Sequence, residues 1–391
     1  MKRFPEKLKS KLDTRFANNT LRELGNQNNL VDFYSNDYLG FSKSASIFNQ
    51  THQYLVDNKI AQNGATGSRL LSGNHSLYNV VETMLCEFHN CEAALIFNSG
   101  YDANIGFFSS VPQRGDIILY DELIHASIRD GIMMSNANAY KFDHNNLNDL
   151  NTKLSIRTDS KSRESNIYVV TESVFSMDGD SPDLKVMSEI CKKHSAHFIV
   201  DEAHALGVFN TKGFGRIQEL KLENEIFARL VTFGKGLGCH GAAILGGFTL
   251  KQYLVNFARS FIYTTALTPH TLATIKTAYE HLVLSKENGN SHHDIQKLKH
   301  NINHFNLEVN RLNLENHFLK SNSAIHSCII SGNESVKSIA KELQNGGFDI
   351  KPILSPTVKE MHERLRFCLH SYNSEKEITK VLELLATFVH V

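Results

Sequence analysis

The feature that most constrains this chain is a repeated alternation through its middle, in which short apolar, β-prone runs are separated by stretches of helical length. The runs are "EAALIFNSG", "GDIILYDE", "SNIYVVTES", "AHFIVDEAHA", "RLVTFGKG" and "GAAILGG". Strands alternating with helices predict an α/β domain built on a mostly parallel sheet. Each run closes in polar or glycine residues, and ligands of such sheets bind beyond the carboxyl ends of the strands. Attention therefore falls on Ser99, Glu172, Asp201, His204 and Lys235.

A length of 391 residues suits one large domain with a smaller partner. The texture changes after about residue 285, where "SKENGNSHHDIQKLKHNINHFNLEVNRL", a polar run of helical character, reads as a linker into a smaller C-terminal domain. The expected division is an N-terminal arm over 1–45, a large α/β domain over 46–285 and a small C-terminal α+β domain over 286–391. Its strands are expected in "SCIISG", "FDIKPIL" and "RLRFCLH".

Lysine plus arginine equal aspartate plus glutamate at 41 each, so no global field recruits nucleic acid or an anionic membrane. The start, "MKRFPEKLKSKLDTRF", is amphipathic and charged, and no run approaches the ~18 to 20 apolar residues that span a bilayer. A cytoplasmic location is expected. Six cysteines without paired spacing agree with a reducing compartment. Cys86, His89 and Cys91 in "CEFHNC" form one cluster with metal-ligand chemistry. A structural zinc site needs four ligands, and a second pair is missing, so no metal is expected.

In "ARLVTFGKGLGCHGAAILGG", residues 228–247, Gly236, Gly238 and Gly241 spell G-x-G-x-x-G behind a β-prone run, the outline of a dinucleotide loop. That loop also needs an acid about 20 residues later to bind ribose hydroxyls. No aspartate or glutamate lies between Glu225 and Glu280, and the segment after Gly241 reads as a strand where a helix is required. The other reading makes Lys235 a reactive amine. Schiff-base chemistry needs some of it unprotonated, and burial or a neighbouring cation lowers its pKa. The plain alternative is a surface lysine in a glycine turn.

"IVDEAHALGV" shifts the balance toward chemistry. An aspartate closing a strand can keep a pyridinium nitrogen protonated, which suits Asp201. His204 could hydrogen-bond a phenolic oxygen of the same ring, and His125 in "DELIHASIRDG" could lie over its face. Either histidine alone reads equally as a satisfied core residue.

The ordered set "SNDYLG", "GATGSRLLSGNH", "NSGYDAN", "HASIRDG", "TESVFSMDGD", "DEAHALGV" and "TFGKGLG" resembles the α-oxoamine synthases, which are fold-type I pyridoxal-phosphate enzymes. The resemblance runs over nearly the whole chain. The runs "TFGKGLGCHGAAILGG" and "YLVNFARSFIYTTALTPH" are most similar to the biotin-pathway branch. That implies condensation of L-alanine with a pimeloyl thioester carried by coenzyme A or acyl carrier protein. Sister branches of the serine palmitoyltransferase or 2-amino-3-ketobutyrate ligase type use serine or glycine instead.

By that resemblance Lys235 carries pyridoxal phosphate, Asp201 pairs with the ring nitrogen, His204 contacts the phenolic oxygen and His125 stacks on the ring. Ser99, Gly100, Tyr101 and Thr232 would hold the phosphate at a strand-to-helix turn. Thr264 and Thr265 in "YTT" would reach the phosphate of the other subunit, which implies a homodimer with shared sites. Glu172 and Ser176 match polar positions around the cofactor, and Asn36 one at the mouth of the site. Arg366 matches the guanidinium that takes the amino-acid carboxylate, a task suited to its planar fork. Three departures concern the acyl side. Lys351-Pro352 stands where many relatives have Arg-Pro, Tyr78 where the family has histidine, and "SPTVKEMHER" replaces the usual loop before Arg364.

Overall fold

The computed structural model describes residues 4–22, 24–25, 28–160, 165–284 and 293–389. A short strand, β1 (Val31–Asp32), comes first. Seven strands then build the main sheet: β2 (Ala93–Phe97), β3 (Ile117–Asp121), β4 (Asn138–Phe142), β5 (Ile167–Glu172), β6 (His197–Asp201), β7 (Ala228–Thr232) and β8 (Ala242–Gly246). Their order is β2-β8-β7-β6-β5-β3-β4. All neighbours are parallel except at β8, which runs against both β7 and β2. The chain is therefore α/β, as its alternation predicts.

Central strands in such a sheet are covered on both faces and need not alternate apolar with polar residues. β2, β5 and β7 are buried along their whole length. Leu95 and Phe97 of β2 enter one hydrophobic cluster, and Ala94 and Ile96 enter another across the sheet. Each fully buried side chain of leucine or phenylalanine size contributes about 1.5–3 kcal/mol, which fixes the register of the strands. β4, "NAYKF", is an edge strand with largely exposed side chains. Sequence reading passes over it because an edge strand carries no continuous apolar run.

The glycine-rich stretch supports the rejection of a dinucleotide loop. The residues after Gly241 continue as β8, not as a helix. Gly238 has φ +59°, and a Cβ there would meet the Ser42 backbone nitrogen at 2.2 Å. A Cβ on Gly236 would meet the Leu206 carbonyl oxygen at 2.4 Å. These glycines let backbone pack on backbone and leave Lys235 in the connection between β7 and β8.

Later strands are β9 (Ile325–Ile329), β10 (Phe348–Asp349), β11 (Lys351–Ile353) and β12 (Arg364–Cys368). β11-β12-β9 form an antiparallel sheet, and the expected single strand in "FDIKPIL" divides into β10 and β11. β10 pairs in parallel with β1, so the segment expected as a free arm is hydrogen-bonded to the C-terminal part of the chain. Of the run expected as a linker, 285–312, residues 285–292 lie outside the described residues and His293–Arg311 form a helix. Among the described residues no helix is long and apolar enough to cross a membrane.

Candidate active site

Strands β2, β3, β5, β6 and β7 point the same way, so their carboxyl ends share one edge of the sheet. A cavity of about 260 Å³ opens there. Asn36, Ser99, Gly100, Tyr101, His125, Glu172, Asp201, His204, Thr232 and Lys235 all line it. These residues span two hundred positions of sequence, and parallel winding brings them together.

Lys235 keeps part of its surface as a residue, but its amine is enclosed. Nζ lies 2.8 Å from His204 Nε2. Burial pulls its pKa down to about 8 against the raising effect of Asp201 and Glu172, and Arg366 adds to the depression. His204 Nδ1 meets the Tyr38 hydroxyl at 2.6 Å. Burial, followed by the charges of Lys235, Arg366 and His125, holds His204 well below the usual histidine range. His204 is thus a neutral ring between an amine and a phenol.

Asp201 closes β6 and is 6% exposed. Its Oδ1 accepts from the Ala203 amide at 2.9 Å and its Oδ2 from Asn104 Nδ2 at 3.1 Å. Asn104 also donates to Ser127 Oγ at 3.0 Å, and that hydroxyl meets His125 Nδ1 at 2.7 Å. His125 is held through Nδ1 and lines the cavity. Its pKa is lowered by burial first, with Lys235 adding to the shift and Asp201 opposing it. Glu172 Oε1 accepts the His125 amide at 2.5 Å. Burial and then Asp201 push the Glu172 carboxyl up to about 8.

The helix Gly100–Ser110 begins where β2 ends, with Ser99 as its N-cap; Ser99 Oγ accepts from the Asp102 amide at 3.0 Å. First-turn amides of a helix have no partner within the helix and attract anions. A Cβ on Gly100 would strike Thr232 Cγ2 at 2.7 Å, so only glycine fits beside Thr232. Tyr101 turns its hydroxyl to Asp130 Oδ2 at 2.6 Å.

Arg366 on β12 is 9% exposed. Its Nε donates to the Ser176 carbonyl at 2.7 Å and its Nη2 to Asn36 Oδ1 at 2.9 Å. Ser176 therefore contributes its backbone, and its side chain is not among the cavity walls. Lys351 lies beside Arg366 in cross-strand register but is tied to Asp349 at 2.8 Å and does not line the cavity. Thr264 and Thr265 are held by Asn98, at 3.0 Å to Thr264 Oγ1 and 2.6 Å to the Thr265 carbonyl, and stand outside it too. Tyr78 is buried, accepts the Leu267 amide at 2.7 Å and carries the Arg69 guanidinium over its ring at 3.7 Å. It steadies the segment next to the two threonines.

Tyr38, Asn104 and Ser127 were not singled out by sequence. All three lie inside motif stretches, "SNDYLG", "NSGYDAN" and "HASIRDG"; Tyr38 and Asn104 have partners distant in the chain, while Ser127 bonds His125 within its own motif. Of the possible metal set, His89 turns its ring to the Tyr279 hydroxyl at 2.9 Å. The donors fit pyridoxal phosphate: a bare helix N-terminus for a phosphate, an enclosed amine of lowered pKa for an aldehyde, and a buried carboxylate for a ring nitrogen.

Residues 28–385 match the family "Aminotransferase class I and II", and the chain belongs to that family. It is 40% identical over 371 residues to an 8-amino-7-oxononanoate synthase of Emericella nidulans, covering 92% of this chain and 89% of the relative. An 8-amino-7-oxononanoate synthase structure from Francisella tularensis superposes with a TM-score of 0.75 at 28% identity, over 92% of this chain and 98% of that one. A serine palmitoyltransferase from Sphingomonas wittichii gives 0.83 at 26% identity, over 92% and 86%. A structure of SPT with PLP gives 0.83 at 27%, over 92% and 87%.

Proposed function

We propose that this protein is a pyridoxal-phosphate-dependent acyltransferase that condenses L-alanine with a pimeloyl thioester, from coenzyme A or acyl carrier protein. The products are 8-amino-7-oxononanoate, carbon dioxide and the free thiol. The observation that carries the reading is the enclosed Lys235 amine, 2.8 Å from a neutral His204, in a cavity that Asp201 also lines. The two 8-amino-7-oxononanoate synthases support the biotin-pathway product over those of the sister branches.

When bound, the cofactor supplies an aldehyde that takes the substrate amine and a ring that withdraws electrons from Cα. Lys235 anchors the aldehyde at rest and removes the Cα proton as general base, a task for which a pKa near neutrality is suited. Asp201 would keep the ring nitrogen protonated, and Asn104 with the Ala203 amide aims its carboxyl group. His204 holds the phenolic oxygen and His125 covers the ring face. Ser99, Gly100, Tyr101 and Thr232 take the phosphate. Arg366, oriented by the Ser176 carbonyl and Asn36, takes the alanine carboxylate. Thr264 and Thr265 would reach the second subunit's phosphate in a cytoplasmic homodimer whose chains divide into an N-terminal arm over 1–45, a large domain over 46–285 and a small one over 286–391.

Purified protein offered alanine, glycine and serine separately, each with pimeloyl and long-chain acyl thioesters, tests this by the rate of thiol release. Alanine with pimeloyl thioester is expected to be fastest. A preference for serine with the long-chain donor moves the protein to the sister branch.

A further inference from the structure

The "CEFHNC" segment has no part in the cavity, and His89 is turned away from its two cysteines. The helix Ser76–His89 ends at Asn90, a left-handed cap with φ 50° and ψ 58°. This turn folds the Cys91 amide back onto the Cys86 carbonyl at 3.1 Å. Adding the covalent reach from nitrogen and oxygen to each Cα puts the two Cα atoms within about 7 Å at full extension, and nearer because the path bends. Disulfides span about 4.4–6.8 Å between Cα atoms. The Cys91 thiol donates to the Ala93 carbonyl at 3.5 Å, just beyond the same turn. Both cysteines are half-buried, whereas Cys191, Cys328 and Cys368 are fully buried.

We propose that Cys86 and Cys91 are a redox modification site, which a hydroperoxide converts into a reversible disulfide within the chain.

The two thiols have unequal roles. Cys86 is lowered to about 7, first because Cys91 donates to it; burial opposes, while Lys251 from a facing helix and the Ala94 amide help, and Glu82 resists. Cys91 is raised by giving its proton to Cys86, by burial and by the charge on Cys86, against the pull of Arg229. Cys86 is therefore the attacking thiolate and Cys91 the resolving thiol. Cys86 attacks the outer peroxide oxygen: an S–O bond forms, the O–O bond breaks, and the alkoxide leaves with a proton as alcohol. Cys91 then gives up its proton and attacks the sulfenic sulfur, so that an S–S bond forms and the S–O bond breaks with loss of water. Two thiols lose two electrons and the peroxide gains them. A dithiol reductant reverses the change by exchange. Cys239, the other half-buried cysteine, has its thiol directed at backbone carbonyls of Leu237 and Thr274 and is pushed up to about 12 by burial.

The test treats the whole protein with tert-butyl hydroperoxide near neutral pH and maps its peptides. The expected product joins Cys86 to Cys91 with loss of two hydrogens and is undone by dithiothreitol. C91S is expected to accumulate a sulfenic acid on Cys86 that dimedone traps. C86S should slow oxidation at position 91 by about tenfold or more, in line with the loss of the more ionised thiol. Wild-type protein that accumulates the Cys86 sulfenic acid with no cross-link would overturn the proposal. Oxidation of Cys239 at the same rate as Cys86 would overturn it too.

Discussion

Two histidine clusters near the same edge of the sheet behave in opposite ways. His144, just past β4, meets Asp121 Oδ1 with Nδ1 and Asp180 Oδ2 with Nε2, each at 2.9 Å. Burial pulls its pKa down, but the two carboxylates outweigh this and carry it up to about 10. His204 is more deeply enclosed, its nitrogens face an amine and a phenol, and it is held well below the usual range. One ring has committed its charge to joining strands and loops. The other is held neutral between the Lys235 amine and the Tyr38 phenol. The difference lies in the partners on the two ring nitrogens, because burial alone acts in the same direction on both.

The comparison breaks if removing Lys235 leaves the cleft working. Lys235→Ala should fold and bind cofactor, resist borohydride fixation at that position and lose roughly 10³-fold or more in turnover, since one amine is both anchor and base. Peptide mapping after reduction checks it, and a label on another lysine would refute the assignment. Asp201→Asn should keep the attached cofactor and lose roughly 10²-fold in turnover, because an amide cannot hold a ring nitrogen protonated. Steady-state thiol release measures this, and near-normal rates would exclude Asp201 as ring partner.

Arg366→Ala should weaken alanine binding roughly thirtyfold or more, the consequence of losing about 2–5 kcal/mol from a charged, enclosed contact. Spectral titration with alanine reads it directly. Equal affinities would move the anchor to Arg364 or Lys351. On turnover the smallest effect belongs to the other cluster: His144→Asn should cost on the order of 3 kcal/mol of stability, as a partly buried pair loses its cation. The sign follows from a folded pKa of about 10 above the ordinary 6.5. The stabilisation is full below about pH 6.5 and disappears as pH rises through about 10. Urea unfolding of both proteins at about pH 6 and about pH 10 should show the gap closing at the higher value; a constant gap would mean that His144 is neutral.

Legibility in the sequence followed the physics of each element. The six apolar runs through the middle of the chain became strands because burial on both faces demands unbroken apolar residues, whereas the edge strand β4 left no such mark. Lys235, Asp201, His204 and His125 were visible because each stands at the end of a strand in a motif. Tyr38 and Asn104 were not, since a hydrogen-bond partner 166 or 97 positions away leaves no local pattern.

The sequence by itself determined the α/β class and argued against a dinucleotide loop, because these depend on local periodicity, glycine geometry and residue chemistry. Only the tertiary structure decided which histidine is charged, how Asp201 is braced, and that Lys351 is occupied by Asp349 while Arg366 bonds Asn36, a residue of the cavity wall. Protonation and orientation are set by partners within about 3 Å. Those partners come from distant parts of the chain, so they exist only once it has folded.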